Sequence, residues 1–231
     1  MKKIKKYTTA CLSLILIIPP VALAKVNLPS MYIGVNAGVK QNGFTPGYGD
    51  NLFNTKQPMA NIFAGIEIIP NFNVEINLET TKNRQRHSAL SGNDSFLGVV
   101  SSDLITRNWQ SDIKFSSIGA DLIYKFNPIC CDKFNILLGA GIKITKVNLK
   151  SKNLSSPSAP VLKLTENNTK GLIKLSAGYE YMFTNNYGMR GLVSWENTSA
   201  LKPIGTGRIG TKFTAKLKNS MNYTLGVLYK L

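Results

Sequence analysis

Between residues 223 and 231 every odd position is apolar or aromatic (Tyr223, Leu225, Val227, Tyr229, Leu231), while the even ones are Thr224, Gly226, Leu228 and Lys230. A repeat of two marks a β-strand, whose successive side chains point to opposite faces. Residues 31–40 carry the same beat, with Met31, Ile33, Val35, Ala37 and Val39 against Tyr32, Gly34, Asn36, Gly38 and Lys40. Further alternating runs predict strands at 60–69, 72–80, 115–126, 134–146, 173–181 and 187–196. The clearest of these sets Phe134, Ile136, Leu138, Ala140, Ile142 and Ile144 against Asn135, Leu137, Gly139, Gly141, Lys143 and Thr145.

The connections between these strands alternate strictly in length. Residues 41–58, 81–112, 147–170 and 197–217 are long and polar, whereas 70–71, 127–133 and 184–186 are short turns. Transmembrane β-barrels have this form, with an even number of strands, short periplasmic turns and long outer loops. The expected fold is therefore all-β: an eight-stranded antiparallel up-and-down transmembrane barrel with four long outer loops and three short periplasmic turns. The last strand should pair antiparallel with the first, because closure removes both exposed edges. Aromatic residues at the ends of the outward faces, among them Phe72, Tyr124, Phe134, Tyr179, Tyr187, Trp195 and Tyr229, suit the interfacial girdles of such barrels. A soluble sandwich or a lipocalin-like barrel would alternate too. The loop pattern, the closing strand and an export signal favour the membrane.

That signal is residues 1–24. A basic start (Lys2, Lys3, Lys5, Lys6), a short apolar stretch from Cys11 to Ile18 and the small-residue site Ala22-Leu23-Ala24 read as a signal peptide to be cleaved. Its apolar stretch falls short of the roughly 20 residues a spanning helix needs. Residues 25–231 are expected to form a single barrel domain. The four leader lysines leave with the peptide, so the formal charge falls from +16 to +12. An exported chain with its basic residues spread over several loops does not read as a nucleic-acid binder. An anionic surface fits that charge better.

The predicted inward faces collect charges of both signs: Glu67, Glu75, Glu79, Asp121, Glu180 and Glu196 against Lys125, Lys143, Lys174, Arg190 and Lys230. Eight strands enclose a bore just wide enough for side chains. Charges there must pair, since an unpaired buried one costs several kcal/mol. A network of salt bridges with isolated water pockets is expected; a gated ion path is the other reading. The outer loops hold a second set of charges. Lys150, Lys152, Lys163 and Lys170 face the acidic Glu166 in the third long loop, and Lys202, Arg208, Lys212, Lys216 and Lys218 have no acidic neighbour in the fourth.

Tyr32-Ile33-Gly34-Val35-Asn36-Ala37-Gly38 and the 223–231 strand resemble the small eight-stranded outer-membrane barrels of the OmpA/OmpX type and the opacity-protein surface antigens. In their C-terminal signature alternate apolar positions lead to a terminal aromatic; Leu231 stands there in this chain. The resemblance implies a bacterial outer-membrane location, contact with membrane lipid and lipopolysaccharide, and handling by barrel-assembly machinery through Tyr223, Leu225, Val227, Tyr229 and Leu231. It also implies a structural surface role, adhesive or interacting with host and envelope, with anionic host glycans or proteins as partners of the basic loops. The peptidoglycan-binding domain attached to OmpA itself is not expected. A small ion or solute pore and a lipid A-modifying enzyme are the rival readings.

Catalysis finds little support in these residues. The one histidine, His87, sits in Arg86-His87-Ser88 within a long loop, without a recognisable partner set for acyl transfer. Cys130 and Cys131 are adjacent and make no zinc site alone. The strand glycines do not form a phosphate-cradling loop before a helix. No cofactor and no metal are expected. An apolar island, Phe96-Leu97-Gly98-Val99-Val100, is expected to fold onto its own loop rather than meet a partner.

Overall fold

The computed structural model describes residues 30–46, 48, 50, 53, 55–82, 86–90, 95–96, 99–100, 107–128, 133–154, 162–165, 170–206 and 212–231. The expected signal peptide, Cys130 and Cys131, Arg84, Glu166 and Arg208 lie outside them, as do the side chains of Lys163, Lys170 and Lys212 and of the apolar island.

Eight strands form a ring: β1 (Met31–Phe44), β2 (Lys56–Ile69), β3 (Phe72–Thr81), β4 (Arg107–Phe126), β5 (Phe134–Asn153), β6 (Lys170–Met182), β7 (Tyr187–Glu196) and β8 (Leu217–Lys230). Each pairs antiparallel with the next, and β8 closes antiparallel on β1, with Val39 opposite Tyr223 and Tyr32 opposite Lys230. Beyond the last pair, the Leu231 N–H donates to the Met31 carbonyl at 2.8 Å. Two of the short turns are fixed by local hydrogen bonds. Asn71 takes a positive φ of 70°, a left-handed conformation that asparagine tolerates, and its N–H donates to Glu67 Oε1. Thr184 Oγ1 accepts the N–H groups of Asn186 and Tyr187.

Within the spanning part of the ring most apolar residues face out, with Tyr32, Phe63, Ile123, Leu137 and Leu228 turned inward. Ile62 is 61% exposed and Ile142 68%, alongside Ile33, Ile76, Leu78, Leu122, Leu138, Ile173, Leu225 and Val227. Such a surface is stable against lipid and not against water. At the short-turn end the outward aromatics pair across strands: Phe72 with Tyr124 at 4.9 Å between ring centres, and Tyr187 with Tyr229 at 4.9 Å.

Toward the long-loop end the phase inverts. On β4, Ile118 and Leu122 face outward, but Ile113 and Phe115 face inward, buried, with Asp112 and Lys114 outside. On β5, Ile142 and Ile144 are outward, and then Val147 and Leu149 are inward with Lys146 and Lys150 outside. The barrel passes from an inside-out arrangement in lipid to an ordinary water-soluble one beyond it.

Several expected boundaries move for this reason. The third and second loops begin later and end earlier than the periodicity predicts, because β5 runs on to Asn153 and β4 starts at Arg107. Lys150 and Lys152, and Lys218 of β8, therefore stand in strands and not in loops. The long connections add strands of their own. Arg86–Leu90 pairs with β4, Leu162–Thr165 with β5, and Ile204–Thr206 with Lys212–Thr214.

The spanning part also shows why its inward faces hold so many glycines. In the register of β1 and β2, Tyr32 stands opposite Gly65 and Phe63 opposite Gly34. A Cβ on Gly65 would meet the Tyr32 ring, and one on Gly34 the Phe63 ring. Each aromatic lies over its glycine, filling a bore that has room for one large side chain at that level.

Candidate functional site

The bore holds a dense group of buried polar side chains, and its charges sort into three groups along the axis. Nearest the long-loop end, Lys40 from β1 and Lys143 from β5 meet Glu79 from β3 and Glu196 from β7. Lys143 Nζ lies 3.1 Å from Glu79 Oε2, Lys40 Nζ lies 3.3 Å from Glu79 Oε1, and both ammoniums also donate to Glu196. Asn222 and Ser220 of β8 donate to the same Glu196 carboxylate. In the middle, Lys174 Nζ lies 2.6 Å from Asp121 Oδ2, which also accepts from Asn77 at 2.9 Å. Nearer the short turns, Arg190 bridges Glu75 (Nη1 to Oε1, 2.6 Å) and Glu180 (Nη2 to Oε2, 2.9 Å). Lys125 completes this group at 2.8 Å from Glu180, and the Tyr32 hydroxyl donates to Glu75 at 2.6 Å.

Five cations (Lys40, Lys125, Lys143, Lys174, Arg190) thus meet five carboxylates (Glu75, Glu79, Asp121, Glu180, Glu196), and the bore carries no net charge. Aromatic faces supplement the pairing. The Arg190 guanidinium lies 4.5 Å from the Phe63 ring centre, and Lys125 Nζ 4.6 Å from that of Tyr32. Balance and multiple partners offset the cost of removing these ions from water.

Two corrections apply to the residues expected here. Glu67 and Lys230 lie outside the network: both line a cavity of about 400 Å³ at the short-turn mouth, and neither takes part in an ion pair among the described residues. They hold the last inward positions before the strands end, where the bore widens to solvent. Lys40 is the network residue that the expected set leaves out. It sits on the polar face of the first strand, but its partner Glu196 is 156 residues away and becomes a neighbour only on closure.

Apolar side chains close the outer end of the bore and, toward the short turns, interleave with the charges. At the outer end Phe44, Phe53, Ile113, Phe115, Val147, Leu149, Leu172, Leu201, Ala215 and Leu217 form one buried cluster, each no more than 5% exposed. Toward the short turns Tyr32, Phe63 and Leu228 pack together, with Met182 against them. Arg86, from the second long loop, ties the outer cluster down by donating to the carbonyls of Asp50 and Phe53 at 2.9 Å.

The outer rim carries the other candidate residues. Lys150, Lys152, Lys202 and Lys218 are exposed, and Lys216 is half-buried with its ammonium over the Tyr48 ring at 3.7 Å. Lys163 lies across from Lys150 in the sheet, and Lys212 across from Thr206. His87 is exposed on the short strand beside β4, opposite Gln110. No group of three or more His, Cys, Asp or Glu able to hold a metal occurs among the described residues. On β8, Tyr223, Leu225, Val227 and Tyr229 face outward, and Leu231 just beyond it is exposed.

A closed antiparallel ring with a lipid-facing apolar band and a polar, filled bore is the architecture of a membrane barrel. The family model described as outer membrane protein beta-barrel domain matches residues 8–230. The chain belongs to that family. Its place is the bacterial outer membrane, in line with the OmpA-like surface barrels that its strand pattern resembles. Solved structures with the same fold include the outer membrane protein OprG from Pseudomonas aeruginosa, 13% identical, covering 88% of this chain and 97% of that one with a TM-score of 0.59. Neisserial surface protein A is 16% identical over 87% of this chain and 97% of its own, with a TM-score of 0.53. A major outer membrane protein from Thermus thermophilus is 11% identical over 87% of this chain and 99% of its own, with a TM-score of 0.51. No curated protein matches the sequence significantly.

In an outer-membrane barrel the end with the long connections faces the exterior. The apolar cluster around Phe115 therefore lies at the outer mouth, and Lys150, Lys152, Lys202, Lys216 and Lys218 stand at the same end.

Proposed function

We propose that this protein is a non-conducting, non-enzymatic surface barrel that binds anionic partners through its basic outer loops. The charge distribution carries this reading. The bore's five cations are matched by five carboxylates, so the excess positive charge of the mature chain falls largely on the outer rim. Around β8 and the connection before it, Lys202, Arg208, Lys212, Lys216 and Lys218 have no acidic residue among them. Sulfated or phosphorylated glycans, on a host surface or in the envelope, match such a field.

The filled bore argues against the pore reading. A conducting route needs a continuous aqueous path, whereas here an apolar cluster covers the outer end of the bore and ion pairs that leave no net charge to select a permeant ion fill it below. The enzyme reading finds no support at His87, which is exposed and has no carboxylate across from it on the neighbouring strand.

Binding of the refolded full-length barrel to immobilised heparin, measured across a salt series, tests the proposal. Binding should weaken steeply as salt rises and fall in the Lys202→Gln/Lys216→Gln/Lys218→Gln variant. Unchanged binding by that variant would contradict it.

A further inference from the structure

Above the lipid band, the outward face of the β4–β5 hairpin holds a cluster of lysines. On β5 the outward residues run Ile142, Ile144, Lys146, Asn148, Lys150, Lys152, and on β4 they run Ile118, Ser116, Lys114, Asp112, Gln110. The register sets Ser116 across from Lys146, Lys114 across from Asn148, and Asp112 across from Lys150. Lys114 is thus the diagonal neighbour of both Lys146 and Lys150, at a spacing of about 7–8 Å. All four lysines are exposed, and Asp112 is the one carboxylate on this face among the described residues. No ion pair joins Asp112 to Lys150 or to Lys114.

Position gives this cluster its meaning. Lys146 follows the lipid-facing Ile144 by two residues, about 7 Å along the strand. It points the same way as the isoleucines, outward from the barrel wall, and not up from the rim. It stands where the exposed apolar band ends, and lysines at a membrane surface attract anionic lipid. The corresponding outward positions on β1 and β8 are Gln41, Met221 and Asn219, and β2 adds Lys56 across from Gln41, so three lysines on neighbouring diagonals mark the β4–β5 hairpin and not the β1 side.

We infer that Lys114, Lys146 and Lys150 form a lateral site for the phosphate of an outer-leaflet lipid, its acyl chains lying along Ile118, Ile142 and Ile144. The three ammonium groups repel one another when no anion is bound, and one phosphate between them removes that repulsion while accepting hydrogen bonds from each. The inference rests on the reading of the chain as an outer-membrane barrel and is independent of what the Lys202–Lys218 region binds. It assigns a fixed orientation relative to one lipid, on the side opposite the β8–β1 seam in the ring.

Native mass spectrometry of the full-length barrel in detergent, titrated with diphosphoryl lipid A or with its dephosphorylated form, tests this. The phosphorylated lipid should bind more tightly, and Lys114→Gln/Lys146→Gln should weaken it about 30-fold, from two membrane-surface lysines. The Lys216→Gln/Lys218→Gln variant should weaken it less than Lys114→Gln/Lys146→Gln does. All three proteins should migrate as folded barrels on unheated gels, because the substituted side chains make no ion pair among the described residues. Equal affinity for the two lipids, or unchanged affinity in the Lys114/Lys146 variant, would overturn the site. So would displacement of the lipid by inorganic phosphate alone, which would place recognition in a free anion. Loss only in the Lys216/Lys218 variant would overturn it too, while supporting the loop surface proposed above.

Discussion

Arg190 on β7 donates through Nη1 to Glu75 Oε1 on β3 at 2.6 Å, joining strands 115 residues apart across the bore. The same guanidinium reaches Glu180, and Glu75 also accepts from Tyr32, so one cation ties β1, β3, β6 and β7 together. Replacing Arg190 with Met should leave two carboxylates short of a partner in a buried place. The expected cost is about 3–5 kcal/mol, read as a lower midpoint in urea unfolding. Adding Glu75→Gln to that variant should recover part of the loss, since the pair's attraction and its desolvation cost nearly cancel.

Gly65 and Tyr32 give a second test, of packing and not of charge. Gly65→Val places methyl groups where the Tyr32 ring lies, and overpacking of this kind costs about 1–3 kcal/mol. In a Tyr32→Ala background the same substitution should cost much less. Equal effects of Gly65→Val in the two backgrounds, measured by denaturant unfolding, would show that the aromatic does not occupy this space.

At the outer mouth Phe115 is fully buried between strands, beside Ile113, Val147 and Leu149. Phe115→Ala should destabilise the barrel by about 3–5 kcal/mol through lost contact and the cavity left behind. A surface loop would not respond in this way, so the unfolding midpoint distinguishes a packed plug from a loose lid.

The closing strand gives a fourth expectation. Tyr229 faces lipid, packs against Tyr187 at 4.9 Å between ring centres and stands opposite Ile33 of β1. Tyr229→Asp should lower the yield of folded, heat-modifiable barrel recovered from outer membranes, since a charge on this face disfavours insertion. Tyr229→Phe should behave as the parent does.

The spanning part of the fold is legible in the alternation itself, because lipid on one side and a filled bore on the other impose opposite preferences on successive residues. The ends of β4 and β5 are not. There the apolar residues move to the inward face, at Ile113, Phe115, Val147 and Leu149, so a reader following Ile118 or Ile144 in one phase sees the beat stop. Alternation continued in the opposite phase is the signal that would have extended both strands. The charges divide similarly. That Glu75, Asp121, Lys143 and Arg190 lie on inward faces follows from the period of two, but their partners depend on register around a closed ring. Lys40 meets Glu196 only because β8 lies between β1 and β7. Nothing local separates Glu67 from Glu75, yet one sits at the widening mouth and the other under Arg190.

Balanced ion pairs fill the bore beneath the apolar cluster at its outer end, which leaves the outer surface for interaction. Planar-bilayer recording of the purified full-length barrel tests this most directly. No steady conductance is expected from the parent protein. Stable single-channel currents that change when Lys143 or Arg190 is neutralised would contradict it.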